Sequence, residues 1–147
     1  MGYSHTQHGR WHWLILLTAV LQLVLAYLVR EHRLVACLLA GVSGLLFAAA
    51  LSFRWLRVRD DGNALSVRFG PLPLFGKRFA YRSIADVRVD RTRLIDGWFI
   101  HYVPRRGWTY NIWGYDCVRF RHEDRIFRIG TDDAVKLASF LNSKTAG

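Results

Sequence analysis

Five residues in the last third of the chain carry acid–base groups: His101, Asp116, His122, Glu123 and Asp124. Proton-transfer catalysis needs such groups held within hydrogen-bond reach of a nucleophile or a substrate proton. No nucleophile motif accompanies them, and they fall on strand-like runs and turns. His5, His8 and His12 are spaced so that they could approach one another on a helical turn. A metal site also needs a third or fourth oriented ligand and a supporting shell, which an irregular terminal segment does not supply. Hydrated histidines near a membrane interface are the expectation. Cys37 and Cys117 lie in different parts of the chain without metal-site spacing, and are read as packing residues in a reducing compartment. The stretch "GPLPLFGKR" (70–78) resembles a phosphate loop but fails as one. Five residues separate Gly70 from Gly76, Arg78 replaces the required Ser or Thr, and prolines remove backbone donors. "MGYSHT" fits an N-myristoylation pattern by chance beside the apolar runs described next. No enzyme, cofactor or metal is expected.

The elements that would position any site begin with two apolar runs. "WLILLTAVLQLVLAYLV" (13–29) and "LVACLLAGVSGLLFAAALSF" (34–53) are separated by "REHR". As helices they span about 25 and 30 Å at ~1.5 Å per residue, enough to cross a bilayer as an antiparallel hairpin. The first run has no small-x-small cleavage site before "YLVREHRL" and a second span follows at once, so it is expected to be a retained helix. Arg10, Arg54, Arg57 and Arg59 lie on the side of both termini, against Arg30 and Arg33 in the loop. That bias places both termini in the cytoplasm of a bacterial inner membrane, with Trp11, Trp13 and Trp55 in one interfacial belt.

Ala36, Ala40, Gly44, Ala48 and Ser52 recur every fourth residue in the second span, and Thr18, Gln22 and Ala26 do so in the first. These faces are expected to pack on each other, with Gln22 bonded to Ser43 or a backbone carbonyl. The alternative is that one of them docks a partner helix.

After Phe53 the apolar period changes to two. "ALSVRFG" turns Leu65, Val67 and Phe69 inward, "IADVRVD" Val87 and Val89, and "DCVRFRHE" Val118 and Phe120. "RDDGN", "GPLPLFG" and "PRRG" read as turns or connections. A helix over about 132–143, capped by Thr131 or Asp132, presents Val135, Leu137, Ala138 and Leu141 as its apolar stripe. The expected architecture is a membrane α-helical hairpin within 1–56, followed at 57–147 by an α+β domain. That domain is an antiparallel barrel or sandwich of about seven strands with a C-terminal capping helix.

The segment "DGWFIHYVPRRGWTYNIWGYDCVRFRHEDRIFRIGTDDAVKLASFL" packs aromatics around two arginines. It resembles the C-terminal half of the bacterial pleckstrin-homology-like (PH-like) domains of small membrane proteins. Gly97, Trp98, Pro104, Gly107, Trp108, Tyr110, Asn111, Gly114, Ile129, Gly130, Thr131 and Asp132 carry the pattern, and the earlier strands match it loosely. The resemblance implies about seven strands capped by a helix beside a transmembrane hairpin, and an interaction role without chemistry. Tyr102, Trp113 and Tyr115 are bulkier than the pattern requires. Within the segment, Trp108, Tyr110 and Ile112 alternate with Thr109, Asn111 and Trp113, so one of the two sets should build the core.

The formal net charge of +10 raises nucleic acid as a partner. Arginines 68, 88, 119, 121 and 128 alternate with apolar residues along strands, which reads as the solvated face of a sheet. A basic domain beside an anionic leaflet gains about 1 kcal/mol per Lys or Arg near the surface, which accounts for the charge more economically. The expected partners are other integral membrane subunits and anionic lipids, with no nucleic acid. The expected role is a non-enzymatic accessory or assembly subunit of a larger membrane complex, or else a module binding anionic headgroups. Lys77, Arg78, Arg105, Arg106, Trp113 and Tyr115 are the candidate contact residues.

Overall fold

The computed structural model describes residues 2–93 and 98–145. Gly97 of the resemblance lies outside the described residues. Strand β1 (Ser4–His8) leads into helices α1 (Trp11–Leu28) and α2 (Arg33–Ser52). Strands β2 (Trp55–Asp60), β3 (Ala64–Gly70) and β4 (Gly76–Ala80) complete a four-stranded antiparallel sheet in the order β1-β2-β3-β4. A 3-10 turn at Tyr81–Ser83 carries the chain into the second sheet, made of β5 (Ile84–Arg91), β6 (Phe99–Val103), β7 (Gly107–Asn111), β8 (Asp116–His122) and β9 (Arg125–Gly130). Helix α3 (Ala134–Thr145) follows.

The second sheet runs β5-β8-β9-β7-β6, so the β8–β9 hairpin inserts β9 beside β7 in parallel register, Trp108 opposite Phe127 and Tyr110 opposite Ile129. The expected PH-like barrel is therefore not what forms. Among the described residues no ladder joins one sheet to the other, one strand pair is parallel, and there are nine strands instead of about seven.

Period-two alternation supplies the core. Leu65, Val67, Phe69, Val118 and Phe120 are at most 1% exposed and meet Phe79, Phe127 and Ile129 between the sheets. Phe79 sits edge-on to Phe120 at 5.1 Å and to Phe127 at 4.9 Å. Tyr110 and Ile112 belong to this core with Trp108 packed against it, so that alternation faces inward. Val89 stands opposite Val118 but on an edge strand, and stays 49% exposed. The α3 stripe is Ala134, Leu137, Ala138 and Leu141; Val135 points outward, because two residues from Leu137 is about 200° around a helix. Thr131 Oγ1 accepts the Asp133 N–H ahead of it, and Asp133 C=O accepts the Leu137 N–H as the first helical bond.

Both long helices are long and apolar enough to cross a bilayer, and little of either is buried within the chain. They pack through Ile15, Ala19, Gln22 and Ala26 on one side and Ala36, Leu39, Ser43, Leu46 and Ala50 on the other, as the alternate three- and four-residue spacing of their less exposed positions shows. Ser43 Oγ donates to Ala19 C=O at 2.8 Å, while Gln22 Oε1 is buried without a partner among the described residues. The expected Ala36-Ala40-Gly44-Ala48 face is not the seam. A four-residue step advances about 40° around a helix, so such a stripe winds off the contact within two or three steps. Ala40 and Gly44 are exposed, Ala48 is half-buried, and a side chain at Gly44 would meet nothing within 4 Å.

Candidate functional site: the neck between helices and sheets

Two short links join the helices to the sheets: Gly9–Arg10 after β1 and Phe53–Arg54 before β2. Their backbones are bonded to each other, Gly9 N–H to Arg54 C=O at 3.1 Å, and Arg54 N–H donates to Gly70 C=O at 3.2 Å. The terminal segment is thus a strand of the domain, paired with β2 from Ser4 opposite Arg59 to His8 opposite Trp55. Gly9 is required here, since a Cβ would stand 2.6 Å from Ile112 Cγ1.

Around this neck the structure gathers aromatic rings. Phe53 packs on Phe69, Phe75 and Phe99 at 5.2, 5.2 and 4.4 Å. Trp11 sits between Trp98 at 5.0 Å and Trp113 at 6.0 Å, and the Arg10 guanidinium lies 5.6 Å over Trp113. Trp11 therefore packs on the domain, its Nε1 buried without a partner among the described residues. Trp13 is 65% exposed and free to occupy an interface.

The loop carrying Trp113 is fixed from beneath. Asn111 Nδ2 donates to Gly114 C=O at 2.9 Å, Asn111 Oδ1 accepts the Trp113 N–H at 3.2 Å, and Gln7 Nε2 donates to Trp113 C=O at 2.9 Å. Asn111 fits only because residue 130 is glycine, where a Cβ would lie 2.1 Å from Asn111 Oδ1. Trp113 and Tyr115 remain exposed beside a polar recess of about 370 Å³ floored by Gln7, Thr131 and Asp132.

The remaining candidate contacts are scattered. Lys77 spreads its ammonium over Phe127 at 4.4 Å, and Arg78 reaches Asp61 at 3.5 Å. Arg105 and Arg106 occupy the β6–β7 turn, about 15 Å along the strand from Phe99 at the neck. There Tyr102, Arg105, Trp108, Asp124 and Arg125 line a second, open cleft of about 450 Å³. Arg128, expected on a solvated face, is 5% exposed and bonded to Asp90 at 3.1 Å and to Arg106 C=O. Nothing in the sequence signals this, because its period-two position matches that of an exposed arginine.

The acid–base residues do not converge. His122 is buried edge-on to Phe79 at 5.3 Å, and loss of solvent holds its pKa below the usual histidine value despite Glu123 at 4.0 Å. Asp116 pairs with Arg91, and His101 is exposed on β6. His5 sits opposite the inward Val58 and bonds Asp132, whereas His8 sits opposite Trp55, three residues along and on the other face. Among the described residues no group of three His, Cys, Asp or Glu could hold a metal. Cys117 is buried, and Cys37 is exposed along α2. No protein-family model, no curated protein and no solved structure matches the chain.

Proposed function

We propose that the chain is a non-enzymatic membrane protein whose two helices anchor a cytoplasmic interaction domain, acting as an accessory or assembly subunit of a larger inner-membrane complex. The observation that carries this reading is the outer face of α2. Ala40, Gly41 and Gly44 are exposed there, with open space over both glycines. Such faces let a second helix backbone approach closely in lipid. The PH-like resemblance of residues 96–141 supports the same role and rests on their sequence pattern.

Gentle extraction from the native membrane should recover the protein with other integral membrane subunits. Gly44→Leu should release them while leaving the domain folded. Recovery of the wild type only as a free monomer would overturn the reading.

A second reading, a membrane-surface module for anionic lipid, is favoured by arginines at the neck. Arg54, Arg57 and Arg68 make no ion pair with a carboxylate among the described residues, Arg68 feeling Asp61 only at longer range.

A further inference from the structure

We propose that Trp55, Arg57 and Arg68 form a clamp for the phosphate of an anionic lipid, in the leaflet next to the neck. This deepens the second reading and rests on the two helices spanning the bilayer. The three residues share the outer face of the first sheet, opposite the face that carries Leu56, Val58 and Val67 into the core.

Arg57 and Arg68 stand directly opposite each other in the β2–β3 ladder. Like charges at paired positions destabilise a sheet unless a counter-charge joins them. The same face holds Arg59 and Arg78 further from the helices, and those two share Asp61 at 2.8 and 3.5 Å. The pair nearer the membrane makes no ion pair with a carboxylate among the described residues, and Asp61 acts on Arg68 only at longer range, so net positive charge gathers where the strands leave the helices.

The recess is built in advance. Trp55 lies across Gly70, where even a Cβ would come within 2.2 Å of the indole. The Arg57 guanidinium stacks 4.8 Å over the Trp55 ring, and its Nε donates to Thr6 Oγ1 at 3.1 Å. Both Nη groups of Arg57 are left without an acceptor among the described residues. With Pro73 at its rim the recess holds about 140 Å³.

Depth selects a lipid phosphate. β2 begins at Trp55, just past the last residue of α2, and Arg57 is two residues on, about 7 Å along the strand. That is the headgroup layer when Ser52 ends the membrane-spanning segment. Beside the recess the β3–β4 loop exposes Leu72, Leu74 at 63% and Phe75, and Phe75 stacks on Phe53 at 5.2 Å. An apolar loop level with the helix end and two arginines just above it match an acyl boundary under a phosphate layer.

The test uses the full chain in nanodiscs of equal phosphatidylglycerol and phosphatidylcholine, followed by detergent extraction and mass spectrometry of the lipid that stays bound. Phosphatidylglycerol should be enriched. The Arg57→Gln/Arg68→Gln variant should lose about fivefold in affinity per arginine, or roughly 25-fold together. Arg82→Gln/Arg125→Gln, on the exposed 3-10 turn and at the start of β9, should match wild type. Equal retention of both lipids, or equal losses in the two variants, would overturn the clamp. Release of bound lipid by millimolar inorganic phosphate would reassign the groove to a soluble anion and overturn its lipid assignment. Carbonate extraction separates the two levels of failure. A protein stripped from the membrane sinks the spanning-helix reading beneath the proposal, whereas an integral protein without lipid preference sinks the clamp alone.

Discussion

Replacing Asn111 and Gly130 singly and together tests how the neck is held. Asn111→Ala removes the bonds to Trp113 N–H and Gly114 C=O. At about 1 kcal/mol each, partly recovered by water at an exposed loop, with a small packing loss added, the cost is about 2 kcal/mol. Gly130→Ala adds a Cβ within 2.1 Å of Asn111 Oδ1 and 2.5 Å of its Cγ, both on a side chain that is 1% exposed. The amide must leave, forfeiting the same two bonds and adding overpacking strain, for about 3 kcal/mol. In the double variant those two contacts no longer exist, and only the 2.9 Å approach to the Asn111 Cβ remains. The double variant should therefore cost about 3 kcal/mol, some 2 kcal/mol less than the sum. Thermal unfolding in nanodiscs, followed by near-ultraviolet circular dichroism of the tryptophan-rich neck, reads these losses at roughly 4–8 °C per kcal/mol. Additivity to within about 0.5 kcal/mol would refute the interlock.

Two further outcomes follow from the end of the domain away from the neck. Burial pushes the Asp60 carboxyl up, but the Tyr81 hydroxyl at 2.8 Å, the Gly62 N–H at 2.8 Å and Lys144 at 3.3 Å together hold it below the ordinary aspartate value. Its stabilisation is complete above the unfolded pKa near 3.9 and is lost as pH falls through the lower folded value. Tyr81→Phe should cost about 1 kcal/mol at neutral pH and shallow the acid limb of a stability–pH curve; an unchanged limb would sink the assignment. Gly107 has φ +88, and a Cβ there would lie 2.2 Å from Ile126 C=O, a backbone atom of the parallel β9. Gly107→Ala should destabilise by about 3 kcal/mol or more, far beyond what Gly62→Ala costs at an open turn of similar φ, as urea unfolding of both would show.

Where a residue's fate depends on its own strand or helix, the sequence was a good guide. The alternation in 64–70 and 116–122 set the buried sides of β3 and β8, because a half-buried strand needs no more than period two. "RDDGN" became the β2–β3 turn, with Gly62 at φ +84 and Asp60 Oδ1 accepting its N–H. Fates decided by a neighbour were not legible. β1 reads "SHTQH", with no apolar alternation, and is a strand only because the exit strand of α2 offers it an edge. The helix seam is of this kind too, because small residues at i+4 precess about 40° per step and the contact follows alternate steps of three and four. Period two reads Arg128 as a residue of the solvated face, whereas a neighbouring Asp90 buries it; His122, in phase with Val118 and Phe120, is buried against Phe79 and Phe127.

The aromatic stretch that looked like one site resolves into three jobs. Tyr110 and Ile112 build the core, Arg105 and Arg106 cap the far turn, and Trp113 faces the neck. Asn111, Gly114 and Gly130, which carry much of the PH-like resemblance, turn out to be parts of one contact: the amide that shapes the Trp113 loop and the glycine that makes room for it. That contact lies against β1 through Gln7 and against the entry to α1 through Trp113 and Trp11. Both links are only two residues long and bonded to each other, so a turn of the helices relative to the sheets would strain it. The outward face of α2 and the arginine face of the first sheet are therefore joined through that one contact.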